Sequence, residues 1–286
     1  MITLQDYESD DSIAWCPGCG NFSILKALKN ALVELGKKPT DVVIVSGIGQ
    51  AAKAPHYLRC NTFNGLHGRT LPVATGIKLA NHEMTVLAEG GDGDGYAEGG
   101  NHFIHAMRRN IDITYLVHNN QVYGLTKGQT SPTSDLGYVS KTTPMGSPHP
   151  PMNPLLLAIA SNCGFVARGF AGDPDHLVTL MREGILFKGF ALIDILQPCV
   201  SFNRVNTFQW YAQRVYKINE ESGYDPGDRI TAFTRAQEWG ERIPVGILYK
   251  MERPTLDAEQ RAIREISLVR QSTDPKAFEQ MLDIFR

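Results

Sequence analysis

The chain is most constrained by Gly91-Asp92-Gly93-Asp94-Gly95 and by the pair Asn119-Asn120 that follows a helix-length interval later. Residues 84–91 (MTVLAEGG) read as a buried strand, residues 98–110 as a helix, and residues 113–120 (ITYLVHNN) as a second buried strand. Asp92 and Asn120 then fall at the carboxyl ends of strands, where open parallel α/β sheets bind ligands. A carboxylate and an amide oxygen converging there suit a small hard cation such as Mg2+, and the glycines let a diphosphate approach backbone N–H groups. The pattern predicts a cofactor site.

The same alternation runs through the chain. A helix is expected over 22–35, capped by Asn21 and ended by Gly36, with apolar residues at Ile24, Leu25, Leu28, Leu32 and Leu35. Residues 41–49 (DVVIVSGIG) read as a strand ending in glycines, 71–81 as a helix, 152–161 as a helix and 164–169 as a short strand. Asp173 and Pro174 open another helix, 191–198 (ALIDILQP) is a buried strand, and 243–250 (IPVGILYK) is a final strand. Strand and helix in turn predict an α/β fold, a doubly wound and mostly parallel sheet. One domain over 1–286 is the expectation for this length.

Two segments break the rhythm. Residues 124–151 are rich in Gly, Ser, Thr and Pro and have little periodicity. A loop of that length in a compact domain reads as a lid over a site, against the plainer alternative of a surface excursion. The tail over 251–286 carries a charged amphipathic stretch at 256–270, expected to be a helix used for packing.

Lys and Arg total 28 against 30 Asp and Glu, a formal charge of −2, so there is no electrostatic reason to expect nucleic-acid or anionic-membrane binding. No apolar stretch approaches the roughly 20 residues that cross a bilayer. The first twelve residues, MITLQDYESDDS, are acidic and polar rather than a secretory signal, so a cytoplasmic location is expected.

In that compartment five cysteines argue for metal ligation or simple burial rather than disulfides. Cys16-Pro17-Gly18-Cys19 is a C-x2-C pair in a turn, Cys199 follows a strand end, and Cys60 lies in the loop between 49 and 71. These four thiols can form one all-cysteine site, either a structural zinc or a [4Fe–4S] cluster. Cys163 reads as a free core cysteine.

WCPGCGN (15–21), SGIG (46–49), LHGR (66–69), GGDGD (90–94), NNQVYGLTKGQTSPT (119–133) and DILQPC (194–199) occur in order. Together they resemble the β subunit of 2-oxoacid:ferredoxin oxidoreductases, over most of the chain to about residue 250. The resemblance implies a sheet of the thiamine diphosphate-binding type, with thiamine diphosphate, Mg2+ and one [4Fe–4S] cluster held by an N-terminal segment. It implies Mg2+ on Asp92, Asn120 and the backbone carbonyl of Val122. The cofactor would be lined by Ile48, Gly49, Gln50, Ala51, His67, Gly93, Asp94, Gly124 and Leu125. His67 and Lys127 would serve catalysis, Lys53 substrate selection, and Cys16, Cys19 and Cys199 the cluster. The family pattern reads SGIGC, and this chain has Gln50 at the last position, so Cys60 is the expected substitute ligand.

The implied reaction is reversible, CoA-dependent oxidative decarboxylation of a 2-oxoacid, with electrons leaving through the cluster to ferredoxin. Lys53 favours 2-oxoglutarate over pyruvate, since it offers a cation to a distal carboxylate. Because the chain contains only the diphosphate-type domain, an obligate α subunit is implied, in an αβ or (αβ)2 complex. Rival readings are half of a non-oxidative thiamine decarboxylase, which needs no cluster, and a zinc-stabilised binding subunit without activity.

Overall fold

The computed structural model describes residues 1–272 and 275–285. Ten strands are formed among them: β1 (Val42–Ser46), β2 (Asn61–Asn64), β3 (Thr85–Gly91), β4 (Ile113–Asn119), β5 (Val122–Tyr123), β6 (Gln129–Thr130), β7 (Phe165–Phe170), β8 (Phe190–Leu196), β9 (Val215–Lys217) and β10 (Ile243–Lys250). Eight of these make one sheet in the order β2-β1-β3-β4-β8-β7-β10-β9, and β5 pairs with β6 as a small separate hairpin. Within the large sheet only the β10–β7 pair is antiparallel. This is the mostly parallel α/β arrangement that the alternating pattern predicts.

The central strands read as unbroken apolar runs because both faces of the sheet are covered. Side chains on a strand alternate between faces. Val42 and Ile44 therefore join one core with Leu87, Leu116 and Ile193, beneath α1 (Asn21–Glu34) and a later helix. Val43 and Val45 join the opposite core with Val86, Ala88, Tyr115 and Leu192. That face is covered by α2 (Thr70–Ala80), α3 (Gly100–Arg109) and α4 (Pro154–Ala160). The later helix on the first face is α5 (Pro174–Leu186), whose Asp173 cap accepts from the backbone N–H of His176. Burying one such Ile or Leu side chain is worth about 1.5–3 kcal/mol.

The structure departs from the sequence reading at four places. Asn21 is the first residue of α1 rather than its cap, and its side-chain oxygen instead lies 2.8 Å from His118 Nδ1. The segment before residue 70 contains a 3-10 turn, Ala51–Tyr57, and the edge strand β2, whose residues are all exposed and so show no apolar alternation. The stretch 256–270 is not one helix: a short helix, Leu256–Glu259, is followed by turns and the 3-10 turn Leu268–Arg270. Short helices are marginal without an apolar face to dock, and here only Ile263 and Ser267 in the second half of the stretch are buried. A further helix, Pro275–Ile284, had no counterpart in the sequence reading.

Candidate functional site

β1, β3, β4 and β8 are adjacent and parallel, so their carboxyl ends open onto one region. Asp92 follows β3 and begins a π-helical turn, Gly93–Glu98, the kind of irregular turn that recurs at functional sites. Its carboxylate is 1% exposed. Ser131 Oγ and Thr133 Oγ1 donate to Oδ2 at 2.5 and 2.6 Å. Burial pushes the Asp92 carboxyl up to about 6, opposed by those two hydroxyl donors. Both hydroxyls go to Oδ2, which leaves Oδ1 without a side-chain donor among the described residues.

Asn120 follows β4. Its Nδ2 donates to Gln197 Oε1 at 2.9 Å, and its Oδ1 accepts from the Val122 N–H at 3.1 Å. Gln121, between them, has φ +60, and its side chain holds that turn: Nε2 donates to Thr133 O, and Oε1 accepts from Tyr211 OH. Asp92, Asn120 and Val122 line one cavity with Ile48, Gly49, Gln50, Ala51, His67, Gly93, Asp94, Gly124 and Leu125. The cofactor-lining and Mg2+-binding residues expected from the resemblance are thus brought together.

Asp94 acts here as a buried clamp between loops. Oδ1 accepts from the N–H groups of Ile48 and Gly68, Oδ2 accepts from Thr70 Oγ1, and His67 Nδ1 lies 3.0 Å from Oδ1. With Nδ1 facing a carboxylate, Nε2 is the His67 nitrogen left for a ligand. Two glycines are required by close approach. A Cβ on Gly47 would sit 2.2 Å from the Asp94 carboxylate, and one on Gly93 would sit 2.2 Å from the Tyr123 ring.

A second cavity shares Gln50, Asn120 and Gly124 with the first, and Cys16, Cys19 and Cys199 line it. Gln197 Nε2 donates to Cys19 Sγ at 3.4 Å, and Ser201 Oγ donates to Cys16 Sγ at 3.1 Å. Burial, reinforced by the neighbouring Cys199 and Cys16, pushes the Cys19 thiol up to about 11. Among the described residues no three His, Cys, Asp or Glu side chains are close enough to hold a single metal ion, these three thiols included.

Cys60 is not brought to that cavity. It precedes β2, whose Asn61 pairs with Val43 near the amino end of β1, so it lies at the edge of the sheet opposite the site. Its Sγ donates to Asn61 O, and burial pushes its thiol up to about 12. The nine residues between Gln50 and Cys60 are used to run back along β1, which is why proximity in sequence misleads here. Cys163 is a core cysteine, as expected, fully buried with Sγ near Phe165 O and Phe190 O.

Neither lysine lines the cavity. Lys53 stands on the turn that opens with Ala51, and Lys127 follows the lining residues Leu125 and Thr126 with φ +77. The 124–151 segment is not free along its length. It begins in the β5–β6 hairpin, and Ser131, Thr133 and Ser134 are buried against the site, whereas Leu136, Val139 and Met145 are exposed.

Several residues escaped the sequence reading. Ser131 and Thr133 lie within a quoted motif but nothing in their spacing points to Asp92. Arg168 on β7 and Asp194 on β8 form a fully buried ion pair at 3.6 Å, and Asn119 and Tyr96 also donate to Asp194. Glu89 is buried inside β3, 2.8 Å from His118 Nε2. The signal for Arg168, Asp194 and Glu89 was a charge inside an apolar strand.

Residues 43–195 match the family described as the thiamine pyrophosphate enzyme C-terminal TPP binding domain. Residues 199–265 match the C-terminal family of the pyruvate ferredoxin oxidoreductase beta subunit. The chain is 48% identical over 249 residues to a 2-oxoacid:ferredoxin oxidoreductase subunit beta from Saccharolobus solfataricus, covering 83% of this chain and 82% of that one. It is 37% identical over 257 residues to a 2-oxoglutarate synthase subunit KorB from Methanocaldococcus jannaschii, covering 88% and 92%. Among solved structures, a 2-oxoglutarate:ferredoxin oxidoreductase from Magnetococcus marinus, with 2-oxoglutarate, coenzyme A and succinyl-CoA bound, superposes with a TM-score of 0.91 at 38% identity, covering 98% of this chain and 96% of that one.

Proposed function

The chain belongs to the β subunits of the 2-oxoacid:ferredoxin oxidoreductases, and from that premise we propose that it holds thiamine diphosphate through Mg2+ and a [4Fe–4S] cluster in adjoining cavities. We propose further that, with an α subunit, it converts a 2-oxoacid, 2-oxoglutarate before pyruvate, and coenzyme A to an acyl-CoA and CO2, passing electrons to ferredoxin. The observation that carries this reading is the shared wall: Gln50, Asn120 and Gly124 separate the Asp92 cavity from the three thiols.

The donor sets fit both groups. Asp92 Oδ1, the second lone pair of Asn120 Oδ1 and the Val122 carbonyl offer hard oxygen donors to Mg2+. Soft thiolates suit an iron–sulfur centre, and three cysteines line the cavity. A cavity lined by three cysteines beside the Asp92 site weighs against a non-oxidative decarboxylase, which needs no cluster.

When bound, thiamine diphosphate supplies the electron sink for loss of CO2, and the cluster accepts electrons one at a time. The protein does the positioning. Ser131 and Thr133 fix the rotamer of Asp92, Asp94 holds the Ile48 and Gly68 loops against each other, and Nε2 of His67 is presented to the cavity. Lys127 bears a cation on a turn held in the left-handed region, backbone strain that is tolerated at functional turns. It would balance carboxylate charge as CO2 leaves. Lys53 would receive the distal carboxylate of 2-oxoglutarate.

The test is anaerobic co-purification with the α subunit, followed by iron, sulfide and thiamine quantification and by CoA-dependent ferredoxin reduction with 2-oxoglutarate. Stoichiometric thiamine, iron and sulfide with 2-oxoacid-dependent reduction are expected. A colourless complex holding zinc, or thiamine turnover without reduction of ferredoxin, would overturn the reading.

A further inference from the structure

Three thiols are one short of the usual four that hold a cubane. The remaining two cysteines are unavailable: Cys60 lies at the far edge of the sheet and Cys163 is in the core. Polar groups around the three-thiol cavity are mostly committed. Ser201 Oγ donates to Cys16 Sγ, and Gln197 uses Nε2 on Cys19 Sγ and the Pro198 carbonyl while Oε1 accepts from Asn120. Two are not. Asn21 Nδ2 is buried without a partner, but an amide NH2 is a donor with no lone pair to give iron. Gln50 also lines this cavity, and its Oε1, an acceptor, is buried with no hydrogen-bond partner. Leaving a buried amide oxygen unpaired is unfavourable, so this acceptor is one that a ligand would satisfy. The backbone at this position is fixed relative to the thiols, because the Gln50 carbonyl accepts from the indole N–H of Trp15, next to Cys16, at 2.8 Å.

We infer that Gln50 Oε1 is the fourth-corner ligand of the cluster, which makes that cluster site-differentiated, with three irons on thiolates and one on a neutral amide oxygen. The inference rests on the cluster reading above. A neutral oxygen binds iron more weakly than a thiolate, so the iron at that corner is the one released first. Gln50 also lines the Asp92 cavity, so the residue that would hold this iron adjoins the cofactor side. Replacing a thiolate by an amide removes one negative charge from the cluster's surroundings, which raises its reduction potential.

The experiment uses the anaerobically purified complex with its α subunit, titrated with ferricyanide and followed by iron analysis and electron paramagnetic resonance. In the wild type, each cluster gives up one electron to ferricyanide and one Fe2+ to solution, leaving a [3Fe–4S]+ cluster with its own resonance signal. Gln50→Cys keeps its fourth iron through the same titration and shows a lower reduction potential. Gln50→Ala contains the three-iron form before any oxidant is added. The inference is overturned if the wild type retains all its iron, if Gln50→Cys loses iron as readily as the wild type, or if Gln50→Ala matches the wild type. Iron and sulfide absent from the anaerobic wild-type complex would overturn the cluster reading itself and this inference with it, whereas an intact cluster indifferent to residue 50 would overturn this inference alone.

Discussion

Thr133 Oγ1 donates to Asp92 Oδ2 at 2.6 Å across 41 residues of chain, and Ser131 donates to the same oxygen. The segment that reads as a lid is therefore also the support of the proposed metal-binding carboxylate. Removing the hydrogen bonds behind a metal ligand commonly costs 10–100-fold in metal affinity. Thr133→Val is expected to raise the Mg2+ concentration needed for half-maximal thiamine diphosphate binding by roughly tenfold or more, with Ser131→Ala additive or greater. Titration calorimetry of the complex at graded Mg2+ checks this, and unchanged Mg2+ dependence in both variants refutes it.

Asp94 satisfies the N–H groups of Ile48 and Gly68 and the hydroxyl of Thr70, two of these three bonds being fully buried. Asp94→Ala strands all of these donors at about 1–3 kcal/mol each, so a loss of roughly 3 kcal/mol or more is expected. At this chain length that lowers Tm by roughly 5–10 °C. Calorimetric melting of the complex reads the loss, and a Tm equal to wild type would contradict the clamp.

Thiol labelling separates the cysteines. In protein stripped of its cluster and reduced, Cys16 is exposed and is expected to alkylate readily at pH 8. The Cys60 thiol, pushed up to about 12 by burial, carries less thiolate than a free cysteine by about three orders of magnitude and is expected to react correspondingly slowly. Reconstituting the cluster should protect Cys16, Cys19 and Cys199 and leave the Cys60 rate unchanged. Peptide mass spectrometry over time measures each site. Protection of Cys60 by the cluster would restore it as a ligand.

Lys53 has no ion-pair partner among the described residues and adjoins the cavity turn at Ala51. Lys53→Ala is expected to raise KM for 2-oxoglutarate about tenfold, the scale of one lost charge-assisted contact, and to leave KM for pyruvate nearly unchanged. Equal effects on the two substrates would remove Lys53 from substrate selection.

What the chain determines locally is legible in its sequence. Apolar runs ending in Gly-Asp and Asn-Asn mark strands covered on both faces and the ends at which ligands bind, so the α/β sheet and the Asp92–Asn120 pairing could be read directly. Cys16 and Cys19 share one turn, and Cys199 follows a strand end, so they too were readable. These features depend on side-chain periodicity and on residue types within a few positions of one another.

Only the tertiary structure decided which distant groups meet. The parallel register of β2 with β1 carried Cys60 to the wrong edge of the sheet, and the return of the hairpin brought Ser131 and Thr133 onto Asp92. Strand order placed Arg168 of β7 against Asp194 of β8. Strand order, register and loop return arise from packing summed over the whole sheet, and no short stretch of sequence carries that sum. That is why Gln50 could be read as a departure from a pattern, but its unpaired oxygen, on a residue that shares a cavity with three thiols, could be found only in the folded chain.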